Sequence, residues 1–426
     1  MILKNVEKLV GESKDSNFTY PIYNGYSLVN LPNTIMEMFG IKPVGRVLDR
    51  SITDKINKRG IRKVAVILID GFGYDMFLKS CKYSEFFKKF VENGIVAPIT
   101  SGFPSTTAAS ITTMNTGLTP QEHGLLEWLL YFKEIDKTIN TLPFTSMEDK
   151  PLTKKYNPKI LYQGDTIFKR FGSDKVPIYT IANKQIANSD YNLLFKSGNT
   201  YITHFKNSDL AIRLRVALEK EKRRSYFYSY ISSVDSSIHA LGPSTEESEA
   251  EILSVSHALE DGLIKKIDKK TAAETLVIIT ADHGHTLLNP KDTIYLNKYR
   301  KLNDYYERGK NGKIIPPTGS PRDVFLHIKS GKLEEAEELL NDKLSKVAKV
   351  MKIKDAIESG LFGYGKLNKN FANRAGNLLI LPHKNKSIWY EHIKGEKFDK
   401  IGMHGGLSKE EMLIPLAAAR LSDLIK

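Results

Sequence analysis

Residues 63–73, KVAVILIDGFG, decide the fold class of this chain. One charge stands at the start, then an unbroken apolar run, then Asp70 with glycines at 71 and 73. A short apolar run closed by turn residues reads as a strand buried on both faces. Comparable β-branched runs recur at 95–99, 177–182, 226–232, 275–281 and 377–382, and helical patterns separate most of them. Such alternation predicts an α/β fold: a mostly parallel central sheet with helices on both faces.

In open α/β sheets the carboxyl ends of the strands build the site. Asp70 closes the first strand. Asp235 and His239 follow the run at 226–232, Asp282 and His283 follow that at 275–281, and His404 sits in the late loop GMHGG. Each residue also has an ordinary reading. Asp70 at a strand-to-helix turn is either an ion ligand or a helix cap. Asp235 and His239, four apart, share one face of a helix, as a common metal needs and as a surface pair also would. Adjacent Asp282 and His283 before Gly284 suit a tight metal-binding turn, with His285 behind the ligands or neutral. The remaining histidines, at 123, 204, 257, 327, 383 and 392, are expected to be structural or exposed.

A second element is TSGFPSTTAASITTMNTG, residues 100–117. Pro104 breaks an extended segment, and Ser105, Thr106 and Thr107 open a helical run. Backbone N–H groups at a helix N-terminus bind phosphate. A hydroxyl there is a nucleophile if a metal or base activates it, and otherwise an N-cap.

At 426 residues, 41% hydrophobic and 26% charged, the chain has the composition of an ordinary globular protein large enough for more than one unit. The formal charge of +14 favours anionic partners, phosphoesters and nucleic acids alike. A lone cysteine, Cys81, excludes an intramolecular disulfide framework. No run reaches the ~18 apolar residues of a membrane span, and residues 1–15 lack the core of a signal peptide. The expectation is a cytoplasmic protein without a membrane partner. The core is assigned to 1–294 and 371–426. A cap or insertion is assigned to 295–370, where glycines and prolines break a long polar stretch before helical periodicity at 330–360. Residues 125–175, with LLYFKEI and TINTLPF as hairpin strands, add to the cap.

The blocks D-G-F-G, T-A-A-S-x-T-x-x-x-T-G, D-x-x-x-H-x-x-G-P, D-H-G and H-G-G follow one another from Asp70 to His404. In that order they resemble the alkaline phosphatase superfamily, most of all its type I phosphodiesterase/nucleotide pyrophosphatase branch. The resemblance implies one α/β core and two divalent ions, with zinc first and manganese as the alternative. It implies that Asp70, Asp282 and His283 hold one ion together with the nucleophile, and that Asp235, His239 and His404 hold the other. The nucleophile it implies lies ten residues before the glycine of the T-G pair, at Thr107. Thr106 is the runner-up, and Ser105 is expected to cap the helix. No sulfatase motif C/S-x-P-x-R is present.

One departure concerns substrate. The family places an asparagine against the phosphoryl oxygen where this chain has Trp128, beside Glu127. Arg322, in GSPRDVF, is a candidate substitute contact, and Trp128 is expected near the site entrance. The implied function is a two-zinc phosphodiesterase/nucleotide pyrophosphatase acting on a small phosphoester, a nucleotide among the options, through a phosphothreonine. A phosphomonoesterase or phosphomutase on the same two-metal site is the alternative. A basic nucleic-acid-binding protein with a structural metal is the alternative of another class.

Overall fold

The structure, a computed structural model, describes residues 1–12 and 15–425. Its centre is a seven-stranded sheet built from β1 (Lys63–Ile69), β2 (Ile95–Thr100), β3 (Ile178–Asn183), β4 (Thr200–His204), β5 (Ser225–Ile231), β6 (Thr275–Thr280) and β7 (Leu413–Arg420). The spatial order is β2-β7-β6-β1-β5-β3-β4. The five strands from β6 to β4 are parallel, and β7 runs antiparallel to both β6 and β2. Every residue of β1, β2 and β6 is buried, as strands covered on both faces require. Helices such as Glu85–Asn93, Asn207–Lys220 and Glu246–Leu259 supply the cover. Among the described residues no helix is long and apolar enough to cross a membrane.

A second, four-stranded antiparallel sheet pairs Thr318–Ser320, Asp323–Leu326, Leu378–Pro382 and Ala348–Lys352, in that order. Two sequence expectations change here. The apolar run at 377–382 belongs to this sheet and not to the central one, so the second sheet reaches past residue 370. The stretch 330–360 is helical only at Leu333–Leu344 and Ile353–Glu358; between them Ala348–Lys352 is a strand. Ala348 and Val350 are buried at alternate positions there, a period of two that the neighbouring helical pattern masks in sequence. The helix Leu333–Leu344 buries Ala336, Leu340 and Leu344 in a core of their own with Val324, Leu378 and Ile380. LLYF and KTIN pair antiparallel as Leu129–Phe132 and Lys137–Asn140.

Candidate active site

Sheet register brings the site together. Ile69 of β1 lies beside Ile231 of β5, and Leu68 lies beside Thr280 of β6. Three adjacent parallel strands therefore end at one level. Asp70 leaves β1, and Asp282 and His283 leave β6. Asp235 and His239 sit on helix α2 (Ser233–Leu241), which begins two residues after β5 ends. His404 reaches the same edge from the loop before β7. The turn after Asp70 is left-handed at Gly71, φ +73°, and a Cβ there would stand 2.6 Å from His285 Nε2. Glycine is needed at that approach.

Two ligand-type groups adjoin. Asp70, Asp282 and His283 bring ligand atoms within 4.8 Å of one another, and so do Asp235, His239 and His404. His283 Nε2 lies 3.4 Å from Asp70 Oδ1 and 3.3 Å from Asp282 Oδ2. His239 Nε2 and His404 Nε2 lie 3.4 Å and 3.8 Å from Asp235 Oδ1. The other ring nitrogen of each histidine faces a backbone carbonyl: His239 Nδ1 to Gly402 at 2.8 Å, His283 Nδ1 to Gly284 at 3.1 Å, His404 Nδ1 to Ser105 at 3.1 Å. Carbonyls only accept, so Nδ1 carries the proton and Nε2 offers a lone pair. A lone pair facing carboxylate oxygens is unfavourable unless a cation stands between them. Asp70 Oδ1 and Asp282 Oδ2 are buried and lack any hydrogen-bond donor. Orphaned oxygens, neutral imidazoles and Nδ1 contacts to carbonyls form the donor set and outer support that zinc takes. The residues present fit two divalent ions.

Electrostatics agree. Burial, then the charges of Asp282 and Asp235, push the Asp70 carboxyl well above its usual range. Burial also works upward on Asp235, but the hydrogen bond from His285 and the charges of His239, His285 and His404 outweigh it and hold that carboxyl low. Burial keeps His404 neutral far below the usual imidazole range, with the neighbouring His283 and His239 acting in the same direction.

The hydroxyl meets the first of these groups. Thr107 is the first residue of α1 (Thr107–Thr116), and its Oγ1 lies 3.2 Å from His283 Nε2. Thr106, not Ser105, is the N-cap: its Oγ1 accepts from Ala109 N at 3.4 Å while donating to Leu126 O at 2.9 Å. Ser105 instead ties the loop after His404, donating to Gly406 O at 2.8 Å and accepting from Gly405 N at 3.2 Å. The reason is long-range. Ser105 bridges to Gly405, so its side chain is spent on a segment three hundred residues away in sequence.

Arg322 does not reach the site. It is fully buried, and its guanidinium grips Glu411 through Nε (2.9 Å) and Nη2 (2.7 Å) and donates to Lys386 O. Trp128 is 49% exposed and lines a cavity of about 840 Å³ that opens over Thr107, Asp70, Asp235 and His404. Of residues 295–370, Gly319, Ser320 and Pro321 alone border it. The walls come from 127–147, from 180–201 and from 389–403, the last of which brings Trp389, Phe398, Lys397 and Lys400 to the cavity.

Of three further contacts, those of Tyr230 and His392 had no motif to reveal them, while His285 stands behind a ligand-type residue as its place after Asp282 and His283 suggests. The Tyr230 hydroxyl donates to Asp70 Oδ2. His285 Nε2 donates to Asp235 Oδ1 at 2.9 Å, so it orients a ligand-type carboxylate. His392, one of the histidines set aside, lines the cavity while its Nε2 contacts Pro317 O at 2.8 Å.

Paired acid–histidine groups at the carboxyl edge of a mostly parallel sheet, met by a helix-opening threonine, are the architecture of alkaline phosphatase-like folds. The model of the type I phosphodiesterase / nucleotide pyrophosphatase family matches residues 64–407, and the chain belongs to that family. Human ectonucleotide pyrophosphatase/phosphodiesterase family member 1 is 27% identical over 219 residues, 50% of this chain and 22% of that protein. The match thus spans less than a quarter of that relative's length. Murine ectonucleotide pyrophosphatase / phosphodiesterase 5 superposes with a TM-score of 0.64 at 19% identity, covering 85% of this chain and 93% of its own; an inactive form in complex with AMP gives 0.64 at 18%. The human counterpart gives 0.62 at 19% identity, over 85% and 92%. The shared fold is the one described above.

Proposed function

We propose that this protein is a metal-dependent phosphoric ester hydrolase, a two-zinc phosphodiesterase/nucleotide pyrophosphatase that works through a phosphothreonine at Thr107. The observation that carries this reading is the position of Thr107 Oγ1, 3.2 Å from the Nε2 of His283, which belongs to the group of Asp70 and Asp282. Asp70, Asp282 and His283 hold one ion, and Asp235, His239 and His404 the other. Divalent ions bound there supply Lewis acidity, lowering the pKa of a hydroxyl and offsetting charge on a phosphoryl group.

The chain's own residues do the rest. Thr107 Oγ1 attacks phosphorus in line, the Oγ1–P bond forms, and the bond from phosphorus to the leaving alcohol's oxygen breaks. The Thr107 proton leaves with the departing alcohol. Water then attacks the phosphothreonine, releases the phosphate product and returns the hydroxyl. The N-terminus of α1 presents its positive dipole end to the anion throughout. His285 and Tyr230 hold Asp235 and Asp70 in place. Trp128 and Trp389 offer flat apolar faces for an organic substituent, and Lys397 and Lys400 offer charge for further phosphate. A murine relative described in complex with AMP supports a nucleotide ester as the substrate.

The test is hydrolysis of bis(p-nitrophenyl) phosphate against the mono ester by zinc-loaded protein. Turnover of the diester that is lost with a chelator and in Thr107→Ala is the expected result. Activity on the mono ester alone would transfer the site to a phosphomonoesterase.

A further inference from the structure

Behind the His404 loop lies a second pair of buried acids that the reaction above does not use. Glu127 precedes the hairpin at Leu129–Phe132, and Asp323 opens the strand Asp323–Leu326. Both side chains are buried and within hydrogen-bonding reach of one another. Glu127 Oε2 accepts from Trp128 N at 2.5 Å, and Asp323 Oδ1 accepts from Ser320 Oγ. The remaining oxygens, Glu127 Oε1 and Asp323 Oδ2, have no donor. Arg322, next to Asp323 in the chain, is already paired with Glu411 and leaves them no counter-charge.

Two buried carboxyls side by side do not both ionise, because each charge is desolvated and each repels the other. One proton between them removes one of the two charges. Burial holds Glu127 up at about 7, against the hydrogen bond it shares with Asp323. Burial and the charge of Glu127 push Asp323 well above its usual range. The groups facing the pair are Glu411, already matched by Arg322, the His283 imidazole and the Ser320 hydroxyl.

The pair touches both sides of the cavity. Glu127 carries Trp128 on its own backbone. Asp323 and Ser320 pack on Gly405, where a Cβ at φ +118° would stand 2.6 Å from Asp323 Oδ1 and 3.3 Å from Glu127 Oε1. Ser320 Oγ also lies 3.2 Å from His404 O. We propose that Glu127 and Asp323 share one proton as a positioning pair that ties the Trp128 wall to the His404 loop. The proposal rests on the hydrolase reading for its consequence in turnover and on geometry for its existence. Loss of the shared proton leaves two adjacent negative charges, which part and carry the wall and the loop with them.

The test reads the pair with and without turnover. In Trp389→Phe, Trp128 is the remaining tryptophan of the two in the chain, and its fluorescence reports the carboxyl bonded to its own N–H. A pH transition centred near 7 is expected there and should vanish when Glu127→Gln is added. Glutamine still accepts from Trp128 N and donates an N–H to Asp323, without a titrating proton. In the metal-loaded protein, kcat/KM on bis(p-nitrophenyl) phosphate should fall several-fold above the transition, and in Glu127→Gln this fall should be absent. A fluorescence transition without any ester hydrolysis would keep the pair and sink the hydrolase reading. No transition, an identical one in Glu127→Gln, or one fewer divalent ion per chain in Glu127→Gln by elemental analysis would overturn the pair.

Discussion

His283 and His404 stack face to face, their ring centroids 3.6 Å apart and their planes 14° from parallel. One belongs to each ligand-type group. Each has Nδ1 on a backbone carbonyl, so both present Nε2 lone pairs from one rigid stack. The relationship fixes the two groups as neighbours, and the first prediction follows from it.

Metal loading should stabilise the protein. A ligand present at a hundredfold excess over its Kd adds about 2.7 kcal/mol per independent site. Zinc or manganese should raise the Tm, EDTA should reverse the rise, and elemental analysis should find two ions per chain, one for each group. Unchanged Tm with neither metal retained would refute the site.

Thr107→Ala should lower turnover by roughly 10³-fold or more, because it removes the proposed nucleophile while the ligand-type residues stay. Thr106→Ala should keep turnover but lose about 1 kcal/mol of stability, since it removes the N-cap of α1. Reversed activities would move the nucleophile to Thr106.

Arg322→Met should act on stability and not on substrate affinity. Breaking a buried pair by removing one partner costs about 3–5 kcal/mol, and Glu411 would be left with a desolvated charge. Arg322→Lys should also destabilise, because an ammonium lacks the two-pronged geometry. A raised KM at unchanged Tm would contradict this placement.

Trp128→Ala should lower kcat/KM on nucleotide esters more than on small aryl phosphates, since the exposed indole stands on the cavity wall where a base would lie. Equal losses on both substrates would argue against such a contact.

Acid should destabilise the fold through histidines held neutral. Burial, then Arg374, lowers His123 to about 3, and burial lowers His327 to about 4, from an ordinary 6.5. Between pH 6.5 and 4 the unfolded chain takes up a proton at each that the folded chain refuses. Stability is therefore fully present above 6.5 and falls as pH drops, by about 1.4 kcal/mol per pH unit per histidine. Denaturant titrations across that range should show a smaller slope in His327→Gln.

Sequence alone determined the parallel core and where its acid and histidine residues gather. Strands β1, β5 and β6 are local patterns, legible without partners, and in a parallel sheet their carboxyl ends fall together; Asp70, Asp235, Asp282 and His283 follow from that. Tertiary structure decided what depends on distant neighbours. Arg322 pairs with Glu411, 89 positions away, which no local pattern announces. Ser105 is drawn to Gly405 and leaves the cap to Thr106. Ala348–Lys352 becomes a strand because Leu378–Pro382 offers it an edge. The cavity walls likewise come from 389–403, since side-chain burial and hydrogen-bond satisfaction are set by whichever segments pack together, at any separation along the chain.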